Sequence, residues 1–249
     1  MMDKILTGKT ALVTGASRGI GRAIALKLGH LGAAVAVNYM NSAAEAEEVV
    51  GQIVAQGGRA LAIKADMANP AAIEQLFDRT IDEFGQLDIL VNNAGIAIFK
   101  AIAEISVEEY ERQFGLNVRG LLFACQQAAL KLADGGRIIN ISTSVTKMML
   151  PNYGLYAASK GAVEQLTKVL AKELGQRGIT VNAVSPGPTD TELFREGKSE
   201  QQISQLAGMA AFNRLGTPED IANAVALLAG TEAGWISGQD ICANGGFTA

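Results

Sequence analysis

Short apolar runs alternate with amphipathic stretches along almost the whole chain. The runs are apolar throughout instead of at every second position, and they read "ALVTG", "AVAVN", "ALAIKAD", "DILVNNAG", "GRIINIS", "ITVNAVSPG" and "GQDICANGG". The stretches between them show helical periodicity, and they cover residues 19–31, 42–56, 70–84, 106–132, 156–175 and 217–229. Apolar strands separated by helices indicate a parallel sheet covered on both faces. The pattern therefore predicts a doubly wound α/β fold.

No linker, internal repeat or charge run divides the sequence, so we expect residues 1–249 to form a single domain. Residues 190–213 depart from the alternation, because they insert helical, partly apolar sequence between a strand and the next helix. An insertion there would lie over the C-terminal edge of the sheet, where doubly wound folds bind ligands. We call residues 190–213 the lid segment.

Composition excludes several classes of function. The chain has 21 basic and 25 acidic residues and a net charge of -4, which argues against a nucleic-acid partner. No apolar run approaches the roughly 18 residues of a membrane span, and no signal-peptide pattern is visible, so we expect a cytoplasmic protein. Cys125 and Cys242 lack metal-ligand spacing, which predicts two small core residues and no metal site. His30 is the last residue of an apolar helical stretch, so we expect it to have a helix-end or packing role.

A glycine-rich turn follows the first strand, in "TGASRGIG". Gly15, Gly19 and Gly21 fall where strand becomes helix, which would let backbone N–H groups face a diphosphate. The turn also carries Ser17, Arg18 and Ile20. Its position in the first βα unit predicts a dinucleotide site, the alternative being a tight turn with no ligand.

The end of the second strand discriminates between cofactors. An acidic residue there is typical of NAD sites, but this strand ends "VNYMNS" and no acid follows until Glu45. Arg18 could hold a 2′-phosphate, while Asn38, Tyr39 and Ser42 offer uncharged donors. We therefore predict NADP(H) in preference to NAD(H). The alternative is that Arg18 is a solvated charge and Ser42 only caps the next helix.

The stretch "YAASK" places Tyr156 and Lys160 four residues apart. On a helix these positions share a face, so the ammonium could approach the phenol oxygen and lower its pKa. The pair is a candidate for acid-base chemistry.

Four features stand in order along the chain: "TGASRGIG", "NNAG" at 92–95, Asn117, and Tyr156 with Lys160. Together they resemble the short-chain dehydrogenase/reductase family, and within it the 3-oxoacyl-carrier-protein reductases and the hydroxynaphthalene reductases. The resemblance implies a seven-stranded parallel Rossmann sheet, a nicotinamide cofactor and a homotetramer assembled through residues 106–132 and 156–175.

The resemblance also implies roles for individual residues. Tyr156 would be the general acid-base, and Lys160 would hold the nicotinamide ribose and lower the pKa of the tyrosine. Asn117 would support a water that relays protons. The alternative is that this asparagine only makes hydrogen bonds within the core. Family spacing points to Thr143 as the catalytic hydroxyl, whereas the "SVT" pattern points to Ser144; we choose Ser144.

Further matched positions are expected to contact the cofactor. These are Asp66, Met67, Asn93, Ala94, Gly95, Pro186, Gly187 and Thr189. Asp66 could instead cap a helix. Lys147 stands where the family often has glycine and Asn244 where it often has aspartate.

The sequence thus predicts an NADPH-dependent oxidoreductase that reduces a ketone or related carbonyl of a small molecule. The alternative is an NADP(H)-binding sensor or scaffold without turnover. The apolar residues of the lid segment would suit a hydrophobic ketone or quinone-like ring, although helix packing explains the same residues about as well. A carrier-protein partner is disfavoured, because the basic residues are scattered, namely Arg119, Lys147, Arg195 and Lys198.

Overall fold

A seven-stranded sheet organises the fold in the computed structural model, which describes residues 4–248. The strands are β1 (Thr10–Val13), β2 (Ala34–Tyr39), β3 (Arg59–Lys64), β4 (Ile89–Asn92), β5 (Arg137–Ile141), β6 (Thr180–Pro186) and β7 (Asp240–Ala243). All neighbours pair in parallel, in the order β3-β2-β1-β4-β5-β6-β7. This arrangement confirms the predicted doubly wound α/β fold.

Helices connect the strands on both sides of the sheet. They are α1 (Gly19–His30), α2 (Ala43–Ala55), α3 (Pro70–Phe84), α4 (Val107–Phe114), α5 (Leu121–Lys131), α6 (Val145–Met148), α7 (Gly154–Leu174), α8 (Glu192–Arg195), α9 (Glu200–Met209) and α10 (Pro218–Ala229). His30 is the last residue of α1, as expected from its place in the sequence.

Two hydrophobic cores form, one on each face of the sheet. Helices α1, α2 and α10 cover one face, where Ile24 and Val225 pack with Val35. Helices α3, α5 and α7 cover the other, where Phe77 and Val163 pack with Leu90. Burial on both faces explains why the strands lack alternation.

Residues 106–132 were expected to form one long helix, and the structure corrects this. Helix α4 passes into a π-helical turn, Gly115–Gly120, before α5 begins. At Gly120 a Cβ would lie 2.1 Å from the carbonyl oxygen of Met67, so only glycine permits the close approach of this helix to the loop after β3. Asn117 lies within this wider turn and is buried.

The lid segment contains α8 and α9, and each begins at a side-chain cap. Thr191 accepts a hydrogen bond from the Phe194 N–H, and Ser199 forms a capping box with Gln202. Cys125 is buried as expected, but Cys242 is exposed, because it lies on edge strand β7. The prediction of two core cysteines was therefore wrong for Cys242.

Candidate active site

One large cavity opens at the C-terminal edge of the sheet. Its volume is about 1220 Å³, which exceeds the roughly 300–1,000 Å³ of a typical single-ligand pocket. Its walls run from the glycine-rich turn through the ends of β2, β4 and β5 to the lid segment. The cavity therefore has room for a cofactor and a second molecule side by side.

The glycine-rich turn forms one end of this cavity. Gly15 and Gly19 have φ of +60° and +54°, in the left-handed region. At Gly21 a Cβ would lie 2.3 Å from the carbonyl oxygen of Gly15, so this position also requires glycine. No side chain caps α1 and its first turn carries no acidic residue. Its free N–H groups and positive dipole end fit a diphosphate.

Asn38 does not offer the free donor expected from the sequence. Its side chain is buried, accepts a hydrogen bond from the Gly15 N–H (3.1 Å), and donates to the carbonyls of Ile63 and Ala65 (3.3 and 3.1 Å). Asn38 lines the cavity, but these contacts occupy its polar atoms and hold the glycine-rich turn in place.

Tyr39, Ser42 and Arg18 line the cavity near the end of β2. The Ser42 hydroxyl makes no hydrogen bond to the N-terminus of α2, so Ser42 does not cap that helix through its side chain. The Arg18 guanidinium is mostly exposed and lies 3.7 Å from Glu192 of α8.

The segments after β3 and β4 form the next part of the wall. Asp66 accepts a hydrogen bond from the Ala68 N–H (2.8 Å), while Asn69 caps α3, so Asp66 is not the helix cap. The side chain of Asn93 donates to the carbonyls of Thr14 and Gly15 (2.9 and 3.0 Å). Both Asp66 and Asn93 line the cavity, together with Met67, Ala94 and Gly95.

Ser17, Gly19 and Ile20 also line the cavity, as do Pro186, Gly187 and Thr189 at the end of β6. The Thr189 hydroxyl donates to the carbonyl of Gly187 (2.9 Å), which fixes the turn. The structure therefore brings all the predicted cofactor-contact residues to the lining of one cavity.

Tyr156 and Lys160 lie one turn apart on α7, in the cavity wall. The Lys160 ammonium donates to the carbonyl of Ile141 (2.7 Å) and lies 6.0 Å from the centre of the Tyr156 ring. Only 5% of Lys160 is exposed, and this burial lowers its pKa to about 8. The lysine is fixed by the backbone at the end of β5.

The pKa of Tyr156 does not follow the expectation from the sequence. Packing around the phenol raises its pKa to about 12, although a hydrogen bond with the Thr143 side chain lowers it in part. Burial is the largest cause of this rise in pKa, and the Lys160 ammonium donates its hydrogen bond to the Ile141 carbonyl instead of to the phenol. The groups of the protein alone thus keep the phenol protonated at neutral pH.

Thr143 and Ser144 both line the cavity, but Thr143 is the hydroxyl that interacts with the Tyr156 phenol, so the structure favours Thr143 over our choice of Ser144. The Ser144 hydroxyl donates to the Ser185 carbonyl (3.2 Å) and accepts from the Asn244 amide (3.2 Å). Ser144 is 1% exposed. Ser144 is the residue before α6, and its hydroxyl bonds to the end of β6. The short helix α6 was not predicted from the sequence.

The two departures noted in the sequence are accommodated in the same region. Asn244 also donates to the Thr248 hydroxyl (2.8 Å), so it ties the chain end to the Ser144 loop. Lys147 forms an ion pair with Asp240 of β7. Both residues stabilise the loop that carries Thr143.

Asn117 connects the π-helical turn to the segment after β4. Its side chain accepts from the Ile96 N–H (3.0 Å), and donates to the Ile96 carbonyl (2.8 Å) and the Ser159 hydroxyl (3.2 Å). Gln113 makes a similar contact, accepting from the Ile98 N–H (2.7 Å). Nothing in the sequence pointed to Gln113, whose polar side chain is fully buried.

An aromatic group in the cavity was also missed. The Phe99 ring lies 4.4 Å from the Tyr153 ring and 5.8 Å from the Tyr156 ring, between centres. Lys198 of the lid segment lies above Phe99. No local sequence signal marks these residues, because they come together only through the fold.

Within residues 4–248 no group of three metal-ligating side chains is present. Over the same part of the chain, no helix has the length and apolarity that a membrane crossing requires.

Comparisons with known proteins agree with this geometry. The family profile described as enoyl-(acyl carrier protein) reductase matches residues 15–248. A short chain dehydrogenase/reductase of Aspergillus novofumigatus is 44% identical, over 97% of this chain and 96% of its own. A hydroxynaphthalene reductase-like protein of Metarhizium robertsii is 42% identical, with 97% and 95% covered.

Among solved structures, an angucycline C-6 ketoreductase with bound NADP superposes with a TM-score of 0.93. It is 44% identical, and the match covers 98% of this chain and 96% of the other.

Proposed function

The chain belongs to the short-chain dehydrogenase/reductase family, and from this premise we propose that it reduces a ketone or related carbonyl to an alcohol with NADPH. The observation that carries the proposal is the position of the Tyr156 phenol, near Thr143 and Lys160, in a cavity that continues to the glycine-rich turn. The phenol would donate a proton at one end of the cavity while the cofactor is bound along the rest.

The residues of the long wall fit NADP(H). The diphosphate would lie at the N-terminus of α1, and Arg18 with Ser42 would hold the 2′-phosphate. No carboxylate lies at the end of β2 to repel that phosphate. The NADP bound to the related ketoreductase supports the same choice. When bound, NADPH supplies the hydride that reduces the carbonyl carbon.

Tyr156 would act as general acid. Its pKa of about 12 means that the phenol holds its proton until a carbonyl oxygen gains negative charge. The Thr143 hydroxyl, beside the phenol, would donate a hydrogen bond to the same oxygen. The nearby Lys160 ammonium would stabilise the phenolate left after proton transfer.

Asn117 would hold these catalytic groups in their relative positions. Its amide is committed to Ile96 and Ser159, so it fixes α7 and the segment after β4 relative to each other. A water relay through Asn117, which the family resemblance implies, stays a prediction.

A sensor or scaffold that binds NADP(H) without turnover is the alternative. Such a protein has no need for a hydroxyl, a phenol and a buried ammonium around one point of the cavity. Their presence together favours catalysis.

The prediction of a homotetramer is kept as part of the proposal. Helices α4, α5 and α7 expose large apolar side chains, including Val107, Leu122, Leu130 and Val169. Unpaired apolar surface of this kind supports contact between copies of the chain. A single domain of 249 residues and a cytoplasmic location also remain predictions.

The experiment that tests the proposal is a survey of NADPH oxidation with different carbonyls. The panel contains β-ketoacyl thioesters, hydroxylated aromatic ketones and quinones, keto-steroids and open-chain sugars. We expect turnover with one class, and faster turnover with NADPH than with NADH. Tight NADPH binding with no turnover on any class would favour the sensor.

A further inference from the structure

We propose that Lys198 makes the enzyme selective for planar aromatic ketones that carry an acidic hydroxyl group. The inference rests on the proposed function, because it assigns a substrate class to the same cavity.

Lys198 is a cation of the lid segment without an acidic partner. The segment's other cation, Arg195, is paired with Asp190 and Glu200. Lys198 forms no ion pair with any carboxylate of residues 4–248. Its ammonium donates one hydrogen bond, to the carbonyl of Phe194 (2.7 Å). Two of its three N–H donors therefore remain available.

Two aromatic rings flank this ammonium, while Glu196 acts on it only from beyond ion-pair distance. Its nitrogen lies 5.0 Å from the centre of the Phe99 ring and 4.9 Å from that of Phe194. Both rings line the cavity, as does Lys198 itself. A partly desolvated cation between ring faces attracts an anionic oxygen more strongly than a solvated surface lysine does.

The same Phe99 ring connects Lys198 to the proposed proton donor. Its centre lies 5.8 Å from the Tyr156 ring centre and 5.0 Å from the ammonium, so the phenol ring and the ammonium lie within about 11 Å of each other. One or two fused rings can bridge this distance, with the carbonyl at Tyr156 and the second oxygen at Lys198.

The walls between these two points suit a flat molecule. The faces and edges of Phe99 and Tyr153 form one side. Gln113 and Asn117 hold the backbone of residues 96–98, so Phe99 extends from a fixed segment. Leu150, Leu193 and Leu206 complete an apolar lining. A planar aryl ketone would stack there at little conformational cost.

The test compares hydroxytetralones with their methyl ethers, using several positional isomers, in the presence of NADPH. In the wild type we expect kcat/KM for the best hydroxylated isomer to exceed that of its ether by roughly 10- to 100-fold. Lys198→Met should remove that preference while leaving the ethers unchanged. Lys198→Arg should retain most of it. Lys168→Met, which removes an exposed lysine on α7, is the control and should match the wild type.

Dissociation constants for the same pairs, measured with NADP(H) present, separate this inference from the proposed function. A preference for the hydroxylated ketone that depends on Lys198 supports the inference even where turnover is absent. Equal affinity for hydroxyl and ether in the wild type would overturn it. An equal loss of affinity for both compounds in Lys198→Met would also overturn it, because that result indicates a role in lid structure alone.

Discussion

At the scale of single residues, the positions of Thr143 and Ser144 lead to a direct prediction about catalytic activity. We expect Thr143→Ala to lower kcat by roughly 10²-fold or more, because the substrate oxygen loses a hydrogen-bond donor in a site shielded from water. Ser144→Ala should have a smaller effect on kcat, since the Ser144 hydroxyl contacts Ser185 and Asn244 instead. Steady-state kinetics of both variants check this.

Thr143→Ser is the matched control, and it should keep most of the activity because it retains the hydroxyl. The assignment fails if Ser144→Ala is the more damaging of the two alanine variants while its fold and cofactor affinity remain normal.

The burial of Lys160 predicts a dependence of stability on pH. Its pKa is about 8 in the folded protein, against an ordinary value of 10.5. Between these values the unfolded chain binds the proton more tightly, so the free energy of unfolding rises with pH. The slope should reach about 1.4 kcal/mol per pH unit at most.

Tyr156 has the opposite sign, since its folded pKa of about 12 exceeds the ordinary 10, and its stabilisation is lost as pH rises from 10 towards 12. The measurement is therefore denaturant unfolding between about pH 8 and 10. Lys160→Met should flatten the rise, while Lys168→Met on the same helix should keep it. A rise of equal slope in Lys160→Met would show that another group is responsible.

At the scale of elements, residues 106–132 contain a glycine that packs closely against the loop after β3. The helical pattern of the sequence does not reveal this contact. Gly120→Ala would place a Cβ 2.1 Å from the Met67 carbonyl oxygen, which is backbone and cannot swing away. We expect a loss of at least about 2 kcal/mol in the free energy of unfolding. Thermal and denaturant unfolding measure it.

Gly51 is the matched control, because it lies inside α2 and a methyl group added there would meet no atom within 4 Å. Gly51→Ala should stabilise the protein by about 0.5–1 kcal/mol, through helix propensity alone. If Gly120→Ala were as stable as the wild type, the close approach of the π-helical turn to the loop after β3 would be wrong.

The sequence predicted the positions of strands and helices better than it predicted which way individual side chains point. The strands and helices were predictable, because burial on both faces of a sheet leaves runs that are apolar throughout. The π-helical turn and α6 were not, since both depend on contacts with distant segments. Asn38 and Ser144 were expected to contact ligands; both line the cavity, but hydrogen bonds within the protein occupy their polar atoms.

At the scale of the whole molecule, the predicted preference for NADP(H) depends on segments that lie far apart in the sequence. Arg18 belongs to the glycine-rich turn, while its partner Glu192 belongs to the lid segment. We expect Arg18→Ala to weaken NADPH binding by roughly 10-fold, because a charge-assisted contact to the 2′-phosphate is lost. NADH binding should change little. Titration of both cofactors checks this, and equal losses for the two would contradict it.

The family pattern predicted a site at the sheet edge, where the structure has its large cavity, because the family motifs follow successive strands. The aromatic cluster with Lys198 escaped it, since Phe99, Tyr153 and the lid segment are far apart in the chain and carry no shared motif. Residues that select a substrate are thus the least visible in the sequence.

The central claim is that the Tyr156 phenol donates the proton, and the most direct test compares Tyr156→Phe with Tyr153→Phe. Both variants remove one hydroxyl from neighbouring rings of the same cavity. On the best carbonyl substrate with NADPH, we expect Tyr156→Phe to lower kcat by about 10²- to 10⁴-fold and Tyr153→Phe by only a few-fold. Similar kcat values for Tyr156→Phe and the wild type would contradict the account.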